Sequence, residues 1–181
     1  MALDKAPEVS ETRPDGSCFS IRPSTAEDVP LILSFIRRLA EYEKEPDAVK
    51  ATESILSQNL FGPTPYAQVV IAYYQPANQP EVPVGFALYF FNFSTWTGKP
   101  GLYLEDLFVD QAYRGLGFGK RLLVYLAQVA KGRDCGRFEW VVLDWNEPSL
   151  QFYKSLGAVA KKEWIVHRVD GKSLDDLAER M

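Results

Sequence analysis

Leu104-Glu105-Asp106-Leu107-Phe108-Val109-Asp110-Gln111-Ala112-Tyr113-Arg114-Gly115-Leu116-Gly117-Phe118-Gly119-Lys120 places an apolar strand with two acids directly before a glycine-rich turn that opens a helix. Glycines at 115, 117 and 119 can take positive φ and let a ligand approach the backbone with no Cβ in the way. Leu122, Leu123, Leu126, Val129 and Ala130 follow at helical spacing, so the amides of this turn begin an amphipathic helix. The first donors of a helix have no carbonyl one turn below them and lie at the positive end of its dipole, which makes a cradle for a diphosphate. Arg114 and Lys120 would add charge to it. Two familiar nucleotide loops fail on residue identity. A P-loop needs glycine where Arg114 stands and Ser or Thr where Arg121 stands, and a dinucleotide fingerprint needs its third glycine where Lys120 stands. A glycine-rich turn alone is often only a turn; the acidic strand before it favours a site.

Working outward, 181 residues with 46% apolar and 24% charged composition predict one ordinary domain over 17–181. Residues 1–16 mix Pro, Asp, Glu and Thr without an apolar segment and are expected to be a disordered tail, neither signal peptide nor membrane span. No apolar run reaches the roughly 18 residues of a transmembrane helix. Net charge −4, with Lys and Arg scattered, gives no basic field for nucleic acid. Cys18 and Cys135 lack metal spacing and are too few for a disulfide framework, so a reducing, cytoplasmic compartment is expected. His167 is the single histidine, which disfavours histidine-built metal sites and Ser-His-Asp or Cys-His hydrolysis. No bound metal is expected.

Along the chain, Phe19 to Arg22 predicts a strand. Ser24-Thr25-Ala26-Glu27 reads as a capping box before a helix carrying Ile32, Phe35, Ile36 and Leu39 and ending near Lys44. Ser54 to Leu60 predicts a short helix closed by Gly62-Pro63. Tyr66 to Tyr74, Val84 to Phe93 and Leu102 to Val109 read as strands, and Gly117 to Lys131 as the long helix. Phe138 to Leu143 should pair in parallel with 102–109 through that helical crossover. Asn146 caps a helix through Leu156 with Pro148 in its first turn, and Gly157 ends it. Trp164 to Val169 predicts a final strand before a short helix from Ser173.

Together with Asn146-Glu147-Pro148-Ser149-Leu150-Gln151-Phe152-Tyr153-Lys154-Ser155-Leu156-Gly157-Ala158, the glycine-rich loop resembles the Gcn5-related N-acetyltransferase (GNAT) superfamily. Arg114, Gly117 and Gly119 meet its Arg/Gln-x-x-Gly-x-Gly/Ala signature. Within it the chain is similar to the spermidine/spermine N-acetyltransferase family through Leu39-Ala40-Glu41-Tyr42-Glu43-Lys44, Tyr103-Leu104-Glu105-Asp106 and Trp145-Asn146-Glu147-Pro148-Ser149, over about residues 21–164. Polyamine-acetylating members resemble one another in an acid two residues before a loop tryptophan; here Ser94 precedes Trp96. That Ser-Thr-Trp, with Val142-Leu143-Asp144-Trp145-Asn146, resembles the thialysine N-acetyltransferase branch.

The resemblance implies an α/β fold with a GNAT-type mixed, mostly antiparallel central sheet flanked by helices, its fourth and fifth strands (102–109 and 138–143) parallel and splayed. It implies an acetyl-CoA-dependent N-acetyltransferase, a homodimer, acting by direct transfer on a primary amine of a small lysine-like or diamine substrate. The alternatives are a polyamine acetyltransferase, a protein or peptide acetyltransferase, and a non-catalytic acyl-CoA-binding domain.

Amine acetylation needs a base for the amine proton, donors for the oxyanion and an acid for the leaving thiolate. Glu105 lies in an apolar strand, where burial would raise its pKa toward a useful base value. Asp106, on the opposite face, would fix a substrate ammonium or a neighbouring strand; pairing of either acid with a core arginine is the competing reading. The resemblance makes Tyr153 the general acid for the coenzyme sulfur, against the plainer reading of a buried interface tyrosine. It also implies cofactor contacts from the backbone at Leu107, Phe108 and Val109, from the loop Arg114, Gly115, Leu116, Gly117, Phe118, Gly119 and Lys120, and from Asn146 and Ser149. Acceptor contacts would come from Tyr42, Glu43 and Trp96, where aromatic and acidic groups suit an alkylammonium.

Overall fold

The computed structural model describes residues 7–180. The chain divides into two compact units, Met1–Val141 and Val142–Met181. The first contains one six-stranded sheet whose spatial order follows the sequence: β1 (Val9–Thr12), β2 (Cys18–Pro23), β3 (Gln68–Gln75), β4 (Val82–Ser94), β5 (Lys99–Val109) and β6 (Arg137–Trp140). Neighbours are antiparallel except β5 and β6, which are parallel. Parallel neighbours need a crossover, and helix α3 (Phe118–Gly132) supplies it.

Helix α1 (Val29–Tyr42) and the shorter α2 (Glu53–Phe61) precede β3. Consecutive side chains on a strand face opposite ways, and β3 divides its residues accordingly. Val69, Ile71 and Tyr73 form a buried cluster with Ile32 and Phe35 of α1, Phe86 and Phe108. Tyr74 instead packs on Phe118 of α3 at 5.1 Å between ring centroids, and Phe19 stacks on Phe118 at 4.6 Å. The sheet is therefore covered by α1 on one face and α3 on the other. Complete burial of each such side chain contributes roughly 1.5–3 kcal/mol.

Three sequence expectations change within this unit. The tail expected over 1–16 contains β1: Val9–Thr12 pairs with Ile21–Cys18, while residues 1–6 lie outside the described residues. All four β1 side chains are exposed, so backbone pairing to a free sheet edge, invisible in composition, makes this strand. The capping box lies one residue later than expected, with Thr25 as cap and Asp28 reaching back to its amide, before a 3₁₀ turn that leads into α1. Strand β6 stops at Trp140 instead of Leu143, for the reason given by β5 below.

In the second unit, α4 (Glu147–Ser155) and α5 (Gly171–Ala178) are the helices. Asn146 caps α4 by accepting from the Ser149 amide, and Gly157 closes it at φ +86°. Trp164 to Val169 forms no strand; a β-favouring composition becomes a strand only with a ladder partner, and this stretch has none among the described residues.

Candidate active site

Strand β5 opens the site. Its pairing with β6 ends at Leu104 opposite Trp140. At the same level its pairing with β4 slips: Leu88 lies opposite Asp106 and Tyr89 opposite Leu104, so Glu105 is the extra residue of a β-bulge. A bulge bends its strand, and the ladder to β6 ends where β5 bends away.

The amides beyond the bulge can be assigned from the pleat. Asp110 donates its amide to the Val84 carbonyl at 2.8 Å, so its backbone groups face β4. Those of Val109 face the other way, and the Val109 carbonyl accepts Arg114 Nε at 3.0 Å. By alternation the Leu107 amide shares the open side with Val109, whereas Phe108 faces β4 and its side chain is buried against Phe35. Of the three backbone donors expected here, Leu107 and Val109 are aimed outward and Phe108 is committed to the ladder.

The loop after β5 is built around Asp110. Burial alone would raise its carboxyl; the Arg38 hydrogen bond, the Ala112 amide and the Arg38 and Arg114 charges outweigh this and hold it below the usual range. Arg38 and Asp110 form an ion pair at 2.6 Å. Beyond a 3₁₀ turn, Gly115 and Gly117 take φ +80° and +84°, the left-handed region a side chain resists. Gly119 is already helical, so its service is the missing side chain and not an unusual φ. The first helical bond shown at this end runs from Arg121 to the Gly117 carbonyl, and helix geometry leaves Phe118, Gly119 and Lys120 amides without a carbonyl one turn below. Phe118 offers only this amide, since its ring is buried; Leu116 and Lys120 are exposed. The Arg114 guanidinium lies 4.5 Å from the centre of the Tyr42 ring, which joins the loop to the end of α1.

Among the carboxylates, the structure reverses an expectation. Glu105 is exposed and Asp106 is the enclosed acid. Burial, then the charges of Glu105 and Glu43, push the Asp106 carboxyl up to about 6. Burial also pushes Glu43 up. Among the described residues no cation pairs with Asp106, which excludes the core-arginine reading for it. The bulge causes the reversal: it leaves Glu105 unpaired in the β4 ladder and turns Asp106, like Phe108, to the α1 side where Glu43 lies. Tyr42, Glu43, Glu105, Asp106 and the loop thus lie around one end of β5.

Trp96 does not join them. It stands 86% exposed in the turn between β4 and β5, and Lys99 to Glu105 is about 20 Å of extended strand. Ser94 is buried, and its hydroxyl accepts the Thr97 amide, which shapes the turn. In the second unit, Tyr153 is partly buried on α4 beside Phe152, and the buried Asn146 side chain serves the helix cap. Arg38 was not anticipated, although its helical spacing from Phe35 and Tyr42 places all three toward one side of α1. Arg13 was also missed; it donates to the Leu116 carbonyl across 103 residues of sequence.

An opened parallel strand pair with outward amides, followed by a glycine-rich helix start, gives this α/β fold a row of backbone donors beside an anion-binding helix end. Residues 34–158 match the acetyltransferase (GNAT) family. The chain belongs to that family and is an N-acetyltransferase. It is 40% identical to the thialysine N-epsilon-acetyltransferase of Sus scrofa over 164 residues, 87% of this chain and 96% of that one. It is 33% identical to the L-ornithine N5-acetyltransferase of Arabidopsis thaliana, covering 93% of this chain and 94% of that one. Among solved structures, an integron cassette protein from the mobile metagenome of V. cholerae superposes with TM-score 0.73 and 28% identity, over 89% and 98% of the two chains. Enzymes of this family use acetyl-CoA as co-substrate.

Proposed function

We propose that this enzyme transfers the acetyl group of acetyl-CoA directly, in a ternary complex, to the terminal primary amine of a small lysine-like or diamine substrate. The observation that carries the proposal is the acidic end of β5: Glu43, Glu105 and Asp106 interact there, and among the described residues no cation pairs with the enclosed Asp106. A substrate ammonium would supply the missing charge. The similarity to enzymes named for thialysine and L-ornithine supports the same acceptor class. Ser94, in place of an acid and turned into its own loop, supports this reading over a polyamine acceptor.

In this scheme the carrier diphosphate sits on the Gly117 to Lys120 amides and the acetyl carbonyl faces the Leu107 and Val109 amides, donors that stabilise the oxyanion. Glu105 takes the amine proton, directly or through water, and Asp106 holds the ammonium beforehand. Tyr153 protonates the departing thiolate, a role that rests on the family resemblance, as do the Asn146 and Ser149 contacts with the cofactor. Residues 17–181 acting as one domain, a homodimer and a cytoplasmic location belong to the same proposal; the family match across 34–158 supports the first.

Release of free coenzyme A is the test, with thialysine, lysine, ornithine, spermidine, spermine and a mixed peptide pool as acceptors. The expected result is a kcat/KM for thialysine or ornithine at least tenfold above that for spermidine. A spermidine preference would restore the polyamine reading. In the same assay Tyr153→Phe should lower kcat about 10²-fold with little change in the KM for acetyl-CoA, as for a group that acts in the transition state. A change confined to KM would reassign Tyr153 to cofactor packing.

A further inference from the structure

The N-terminal hairpin reaches the cofactor loop. Between β1 and β2 the chain turns at 13–17, with the Arg13 amide bonded to the Ser17 carbonyl at 2.8 Å and the Gly16 amide to the Arg13 carbonyl at 3.0 Å. Asp15 accepts both the amide and the hydroxyl of Ser17. The hairpin is fastened to α3 at two successive turns: Glu11 pairs with Arg121, and the Tyr125 hydroxyl donates to the Pro7 carbonyl at 2.8 Å. Arg13 extends from this platform one turn further toward the helix start. Its guanidinium lies 4.9 Å from the Phe118 ring centre and donates to the Leu116 carbonyl at 3.0 Å.

The hydrogen bond fixes more than a carbonyl. In a trans peptide the C=O of one residue and the N–H of the next point in opposite directions. Holding the Leu116 carbonyl toward Arg13 therefore turns the Gly117 amide away from it. Leu116 stands between two glycines at φ +80° and +84°, residues whose backbones resist rotation least, so the 116–117 peptide is the part of the loop most in need of an external hold. If it flipped, a carbonyl dipole would face the bound anion in place of a donor.

We propose that Arg13 is a positioning residue for the acyl carrier: by holding the Leu116–Gly117 peptide it aims the Gly117 amide at the carrier's diphosphate, which makes the N-terminal hairpin a working part of the cofactor site. This rests on the reading of 114–120 as the diphosphate loop. Arg13 precedes the 34–158 span matched by the family, so the hold is an addition outside that matched region.

The test is calorimetric titration of wild type, Arg13→Ala, Arg13→Lys and Glu11→Gln with coenzyme A and with dephospho-coenzyme A, alongside steady-state kinetics. Arg13→Ala should weaken both ligands about tenfold and raise the acetyl-CoA KM, with kcat at saturation within twofold of wild type. Arg13→Lys should recover part of the loss, since an ammonium can still donate to the carbonyl. Glu11→Gln, which loosens the hairpin without touching the loop, should change affinity less than twofold. Equal affinity in wild type and Arg13→Ala would overturn the inference while leaving the loop assignment standing. A loss confined to coenzyme A would also overturn it, by showing contact with the 3′-phosphate. An equal loss in Glu11→Gln would do so by showing general loosening. Failure of wild type to bind coenzyme A would remove the loop reading itself.

Discussion

Gly117→Asp is expected to lower the affinity for coenzyme A at least 100-fold while leaving the enzyme folded. Gly117 takes φ +84°, and a Cβ built there meets nothing within 4 Å, so the substitution adds backbone strain without a clash. A non-glycine residue in this region costs about 1–2 kcal/mol, equivalent to a few degrees of melting temperature for a chain of this size. The larger effect is electrostatic. The new carboxylate would stand at the helix start whose amides and dipole attract an anion, and would face the diphosphate as a like charge. Gly117→Asn carries the same strain without the charge and should retain most of the affinity lost in Gly117→Asp. Calorimetric titration measures both, and wild-type affinity in the aspartate variant would remove the loop from the cofactor site.

The parts of this site that depend on local pattern were legible in the sequence. The helical spacing of Leu122 to Ala130 fixed α3 and put the glycine loop at its start, and the β-branched and aromatic runs marked β3, β4 and β5. Features that depend on a partner strand were not. The bulge at Glu105 exists only in the register between β4 and β5, and a one-residue slip exchanges the faces of every side chain beyond it. For that reason the sequence suggested Glu105 as the enclosed acid, whereas the fold encloses Asp106. Strand β1 is held by hydrogen bonds to β2 and carries exposed side chains, so its composition resembles a tail. Trp164 to Val169 shows the converse, a strand-like composition that forms no strand among the described residues.

Asp106→Asn should separate stability from activity. The folded protein holds this carboxyl at about 6, against an ordinary 3.8, through burial first and the charges of Glu105 and Glu43 second. Because the folded value is raised, the fold favours the protonated acid. The stability contributed by this group is complete below pH 3.8 and is lost as pH rises through about 6. At pH 8 the ionised, uncompensated Asp106 therefore costs the fold about 2–3 kcal/mol by the usual conversion of such a shift. The neutral asparagine avoids that cost, so the variant should melt several degrees above wild type at pH 8, with the gap closing toward pH 4. Its activity should move the opposite way. Without the charge proposed to hold the acceptor ammonium, kcat/KM for the amine should fall on the order of 10²-fold, a loss typical of a positioned charged partner. The wild-type decline of kcat/KM as pH falls through about 6 should disappear in Asp106→Asn. Glu105→Gln, which removes one of the two charges that help raise Asp106, should lower kcat, move that acid limb to lower pH without abolishing it, and raise the melting temperature at pH 8 by less than Asp106→Asn does. Unchanged turnover and an unchanged limb in Asp106→Asn would show that Asp106 takes no part in acceptor binding. An acid limb kept in Asp106→Asn and lost in Glu105→Gln would attribute the limb to the proposed base Glu105 and not to Asp106.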